Sequence, residues 1–115
     1  MSIQRFDTGP RMSQAVVHGN TVYLAGVVPD DGNQDMAGQT TSVLAKIDAL
    51  LAKAGTDKSK LLSAVIYITD MKYFPDMNKV WDAWVSPGNT PARATVQAQL
   101  AQPAFKVEIM VVAAK

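Results

Sequence analysis

The sequence predicts an α+β domain in the order β-β-α-β-α-β-β, a mixed sheet carrying two helices on one face. Three observations predict it. Short apolar runs that alternate or cluster with strand-like spacing open and close the chain. Two longer segments between them repeat their apolar residues at steps of three and four. Each of these joins one strand to another, and two right-handed crossovers lay both helices over the same side of the sheet.

Ala15-Val16-Val17 and Val22-Tyr23-Leu24-Ala25 are joined by His18-Gly19-Asn20, where Gly and Asn tolerate the positive φ of a tight turn, so they form a hairpin. Pro29 to Asn33 holds only turn formers and reads as a loop. From Met36 to Ala54, Val43, Ile47, Leu50, Leu51 and Ala54 make an amphipathic helix that Gly55 stops. Leu61 to Thr69 is a central strand, with Leu62, Ala64, Ile66 and Ile68 on one face and Ser63, Val65, Tyr67 and Thr69 on the other. A second helix starts near Phe74, accepts Pro75 in its first turn, runs through Met77, Val80, Trp81 and Trp84, and ends at Pro87-Gly88. Two strands close the chain, one from Ala92 to Leu100 and one from Phe105 to Val112. If both helices cover one face, the other still receives Val65, Tyr67, Met110 and Val112, too apolar to face water. A homo-oligomer with clefts between subunits is expected to cover it.

One domain, residues 1–115, is the natural count for this length, and 48% hydrophobic residues suffice for a core without disulfide or metal. Eleven basic residues nearly cancel ten acidic ones and are scattered, which argues against binding a nucleic-acid backbone. No apolar run approaches the ~18–20 residues needed to span a bilayer, and no apolar signal core follows Met1. A cytoplasmic location is expected. With no cysteine, one histidine and no glycine-rich phosphate loop, the chemistry falls to carboxylate, guanidinium, hydroxyl or backbone groups, with neither metal nor organic cofactor.

Within the closing strands, Arg93 shares a polar strip with Thr95, Gln97 and Gln99, and Glu108 has Lys106, Met110 and Val112 as neighbours on its face. A guanidinium can hold a carboxylate through two parallel hydrogen bonds, and a partly dry carboxylate can orient or deprotonate water. Polar residues alternating on a strand also mark a solvated face, and an Arg with a Glu also forms a simple cross-strand pair; spacing does not separate these readings. His18 reads as an exposed turn residue, Trp81 and Trp84 as core, and Asn78 as a polar residue beside the second helix's apolar stripe. Ser13 lacks the His and Asp partners of a nucleophile.

Several segments together resemble the RidA (YjgF) family of reactive intermediate deaminases, in particular a short bacterial branch typified by YoaB. They are His18-Gly19-Asn20-Thr21-Val22-Tyr23-Leu24-Ala25-Gly26, Asp70-Met71-Lys72-Tyr73-Phe74, Met77-Asn78-Lys79-Val80-Trp81-Asp82-Ala83-Trp84, Thr90-Pro91-Ala92-Arg93-Ala94-Thr95-Val96 and Lys106-Val107-Glu108-Ile109. The resemblance implies a chorismate-mutase-like fold assembled as a homotrimer, with a site at each subunit interface. It implies cofactor-independent hydrolysis of 2-imino acids, such as 2-iminobutanoate and 2-iminopropanoate, to 2-keto acids and ammonia. Arg93 matches the arginine that binds the substrate carboxylate and Glu108 the acid that positions water; Asn78, Gly26, Ala94 and Thr95 fall among the substrate contacts. Three positions depart from the archetype: Met12 replaces an aromatic tyrosine, Ala25 a serine and Thr95 a cysteine. The alternative those departures raise is a non-enzymatic protein of the same fold that binds a small keto acid. An action on RNA, claimed for some relatives, fits the balanced charge poorly.

Overall fold

The structure, a computed structural model, describes residues 1–115. Its elements are β1 (Ile3–Phe6), β2 (Ala15–His18), β3 (Thr21–Leu24), α1 (Met36–Lys53), β4 (Leu61–Ile68), α2 (Phe74–Trp84), β5 (Ala92–Gln97) and β6 (Val107–Ala114), with single 3-10 turns at Lys58–Lys60 and Met71–Tyr73. All six strands join one sheet in the order β1-β2-β3-β6-β4-β5. β5 runs parallel to β4, and every other pair is antiparallel. The last strand, β6, thus inserts between β3 and β4, while β5 is left as an edge.

Local chemistry sets the element ends. His18 pairs with Thr21 across a two-residue turn in which Gly19 takes φ +61°, the left-handed value that glycine reaches without strain. Asp35 caps α1, its carboxylate accepting from the Gly38 N–H at 2.8 Å. At the other end Gly55 takes φ +88°, and the next N–H, that of Thr56, donates back to Leu51 O at 2.9 Å, closing the helix. Pro75 sits in the first turn of α2, where no intrahelical N–H is needed.

The core lies between the sheet and the helices. Val43, Leu44, Ile47 and Leu51 of α1 and Met77 and Trp81 of α2 pack over Ala64, Ile66 and Ile68 of β4 and Val107, Ile109 and Val111 of β6. Residues such as Ile66 and Ile109 are fully buried, and truncating either to alanine would cost about 2–5 kcal/mol. The opposite face stays apolar and uncovered, with Tyr23 47%, Val96 42% and Met110 38% exposed.

Four expectations are corrected. The sheet has a sixth strand, β1, which sequence reading passed over: Ile3-Gln4-Arg5-Phe6 is mostly exposed and has little apolar pattern, and it exists by backbone pairing to β2. In β4 the pairing shifts between Leu61 and Ser63, so Leu61 enters the core and Leu62, expected there, is 51% exposed. The strand expected to reach Leu100 ends at Gln97, after which Ala98 N–H makes a last bond to Ile68 O and the chain leaves the sheet. Finally, the two closing strands are not neighbours: β4 lies between β5 and β6, so Arg93 and Glu108 cannot form a cross-strand pair.

Candidate functional site

Arg93 stands on the edge strand opposite Ala64, and Thr95 opposite Ile66, so both point to the helix side of the sheet. There the guanidinium carbon lies 5.3 Å from the centre of the Trp81 ring and 5.9 Å from that of Phe74. The two ion pairs in the chain, Lys46–Asp30 and Lys53–Asp7, involve other residues, so the Arg93 charge faces aromatic rings with no carboxylate to neutralise it. Asn78, on the same helical stripe as Phe74 and Trp81, has its Oδ1 buried without a hydrogen-bond partner, and so has Thr95 at Oγ1. Two buried polar atoms without a protein partner thus lie on the two elements that flank Arg93, α2 and β5.

Glu108 projects the other way. Its neighbours Val107 and Ile109 are buried beneath the helices, so its half-buried side chain leaves the sheet on the opposite face, where it lies over Gly26. A Cβ at Gly26 would collide with Glu108 Oε2 and stand 2.9 Å from its Cδ, which explains a glycine at this position. The approach is fixed from below by a bridge in which Val27 N–H donates to Ile109 O at 2.8 Å and Ile109 N–H to Val27 O at 3.0 Å. Gly26 also borders a hollow of about 490 Å³ walled by Met12, Gln14, Val27 and Val28 on one side and by Lys46, Ala49 and Leu50 of α1 on the other.

Within one chain the two candidate catalytic residues are therefore apart. Glu108 is level with Tyr67 and, through it, with Val96, three residues along β5 from Arg93. Two strand spacings of ~4.8 Å and three residue rises of ~3.3 Å place their Cα atoms roughly 14 Å apart, on opposite faces. None of the five surface hollows is lined by either residue. The candidate residues divide into two halves: Arg93, Thr95 and Asn78 on the helix side, and Glu108 with Gly26 beneath it on the other. Ala94 points with Glu108 to the apolar face, where it pairs with Val65. His18, at the end of β2, is exposed and belongs to neither half.

The family model described as endoribonuclease L-PSP matches residues 2–115. The chain belongs to the RidA/YjgF family. It is 49% identical to the RutC family protein YoaB of Escherichia coli K12 over 114 residues, covering 99% of both chains. A RutC family protein of Haemophilus ducreyi is 45% identical over 112 residues, 97% of this chain and 96% of that one. Among solved structures, NMB1025 of Neisseria meningitidis, a YjgF family member, superposes with a TM-score of 0.98 at 50% identity, covering 100% of this chain and 96% of that one. Rv2704 of Mycobacterium tuberculosis, from the same family, gives 0.90 at 26% identity, covering 99% and 100%. The RidA/YjgF fold expected from the sequence is thus the fold observed.

Two features of this RidA/YjgF chain escaped sequence reading. Trp81, a core residue by its spacing, is buried at 4% exposure, but its ring also faces the Arg93 guanidinium. Gln39 is fully buried in α1: its Nε2 donates toward the carbonyls of Ala104 and Gln34, each at 3.0 Å, and of Gly32 at 3.2 Å, while its Oε1 accepts from Lys106 N–H at 2.8 Å. One amide thereby fastens the loop before α1 to the loop that leads into β6 and Glu108. The available signal was a polar residue on the apolar side of α1, between Met36 and Val43.

Proposed function

We propose that this chain is an enamine and imine deaminase that hydrolyses reactive 2-imino acids, such as 2-iminobutanoate and 2-iminopropanoate, to 2-keto acids and ammonia. We further propose that it works as a homotrimer whose sites lie between subunits. The observation that carries the reading is the Arg93 guanidinium, unpaired by any acid and held against Trp81 and Phe74, a ready receptor for a small carboxylate. The opposed placement of Arg93 and Glu108 supports a site made in trans: Arg93, Thr95 and Asn78 from one copy meet Glu108 and Gly26 from another, with Ala94 and Thr95 offering backbone contacts. The bare apolar face around Tyr23, Val96 and Met110 supplies a surface for that association.

The chemistry asks little of the protein. A protonated imine is already electrophilic at C2, so binding its carboxylate on Arg93 fixes that carbon, and Glu108 takes a proton from water as the new C–O bond forms. The proton then passes to the amino nitrogen of the tetrahedral intermediate and the C–N bond breaks; the hydroxyl gives its remaining proton to Glu108 as it becomes the keto carbonyl, and the departing ammonia carries that proton away as ammonium. Every atom comes from imino acid and water. The test is release of 2-keto acid from freshly generated iminobutanoate by wild type and by Arg93→Ala of verified native assembly. Acceleration that the substitution abolishes is expected; no acceleration by wild type would overturn the reading.

A second reading, a keto-acid-binding protein without turnover, is favoured by Met12, Ala25 and Thr95 at positions where archetypal members carry a phenol, a hydroxyl and a thiol. Calorimetry with 2-ketobutyrate separates the two, since binding lost in Arg93→Ala, without imine hydrolysis in wild type, is its signature. The family model's description names an activity on RNA, but a net charge of +1 gives little attraction for a phosphate backbone.

A further inference from the structure

We infer that Trp81 and Phe74 form an aromatic shelf that presets the Arg93 guanidinium for a planar carboxylate, making Trp81 a positioning residue of the site; the inference rests on the carboxylate-binding role proposed for Arg93. An arginine on an exposed edge strand ordinarily samples many rotamers, and a ligand must freeze them on binding. Here the guanidinium carbon lies within ~6 Å of two ring centres, the range in which a ring's negative face attracts a cation. A cation lying over the rings keeps its outward N–H groups for a ligand, whereas a carboxylate partner in the chain would occupy them.

The shelf is itself held. Trp81 is almost fully buried, and its ring packs against Trp84 with centres 5.4 Å apart at an interplanar angle of 50°. The indole N–H of Trp84 donates to Asp48 Oδ2 of α1 at 2.9 Å. Arg93 is thus referred, through two indoles, to the longer helix. Phe74 completes the shelf from four residues before Asn78 and seven before Trp81, one helical stripe, and it remains 37% exposed. Core packing explains Met77 but does not explain an open phenyl beside a guanidinium.

The test reads Arg93 directly. The chain has three arginines, Arg5, Arg11 and Arg93, so the Nε–H resonance of Arg93 can be assigned by Arg93→Lys. In wild type it is expected upfield of the other two through ring currents, and slower to exchange with water. Trp81→Leu should move it to the position of Arg5 and Arg11 and weaken 2-ketobutyrate binding about tenfold, acting on KM more than on kcat, while Trp81→Phe restores most of both. Phe74→Leu, which leaves the core alone, should lose about two- to threefold and serves if Trp81→Leu does not fold. An Arg93 resonance that matches Arg5 and Arg11 in wild type overturns the shelf even if imine hydrolysis is found. So do Phe74→Leu and a folded Trp81→Leu that leave both shift and affinity unchanged. A shifted, protected Arg93 in a wild-type protein without turnover overturns the deaminase reading and leaves the shelf standing.

Discussion

Glu108 rests on Gly26 so closely that a methyl group on that residue would displace its carboxylate. Because the colliding atoms are at the end of a flexible side chain, Gly26→Ala should fold, with Tm lowered by less than about 5 °C, while Glu108 swings away from its present place. If Glu108 positions water, a shift of this size should lower kcat/KM for iminobutanoate about 10- to 100-fold. Gly26→Ala added to Glu108→Ala should then cost nothing more, since the group it disturbs is gone. Additive losses in the double variant would mean that Gly26 acts on its own.

The sheet face carrying Glu108 makes a prediction about assembly. Tyr23, Val96 and Met110 leave on it an apolar surface that a monomer would have to hold in water. Sedimentation velocity of wild type should give a species near 37 kDa, three times the 12.4 kDa chain. Met110→Asp should drive it to monomer without melting the helices, because Met110 takes no part in the core between sheet and helices. A wild type that sediments as monomer at micromolar concentration would remove the interface on which the proposed site depends.

The strands and helices that bury apolar side chains were legible in the sequence because burial leaves a periodic trace: α1, β4, α2 and β6 each carry one. β1 left none, since backbone pairing to β2 requires no apolar pattern. The bulge at Leu62 was hidden because a register shift turns the alternation over without changing the composition. Arg93 and Glu108 were visible as charged residues within apolar strands, but that β4 separates them depends on the insertion of β6 between β3 and β4. That order follows from long-range pairing and has no local signature. The same holds for Gln39, whose partners lie as far as 67 residues away.

Gln39 gives the chain its clearest buried polar test. Replacing it with leucine preserves much of the side-chain volume but strips Lys106 N–H of its acceptor and the carbonyls of Gly32, Gln34 and Ala104 of their donor. Leaving such groups without partners costs about 1–3 kcal/mol for each one that water cannot reach, so Gln39→Leu should lower stability by about 2–4 kcal/mol in urea unfolding. Hydrogen exchange should rise at Lys106 and in the loop before α1. A loss below about 0.5 kcal/mol would mean that water takes over the role of the amide.

Arg93 and Glu108 on opposite faces of the sheet allow a test that no single variant supplies. Arg93→Ala and Glu108→Ala should each be inactive when pure. Dissociated, mixed in equal amounts and reassembled, they should recover activity, because a site that takes its arginine from one copy and its glutamate from the next is intact whenever a Glu108→Ala copy supplies the arginine and an Arg93→Ala copy the glutamate. Each condition holds for half of the positions, so about a quarter of the sites should work in a random ring of three. If both residues served from the same chain, every site in the mixture would lack one of them and no activity would return. The roughly 14 Å and the sheet that separate them within one chain favour the first outcome.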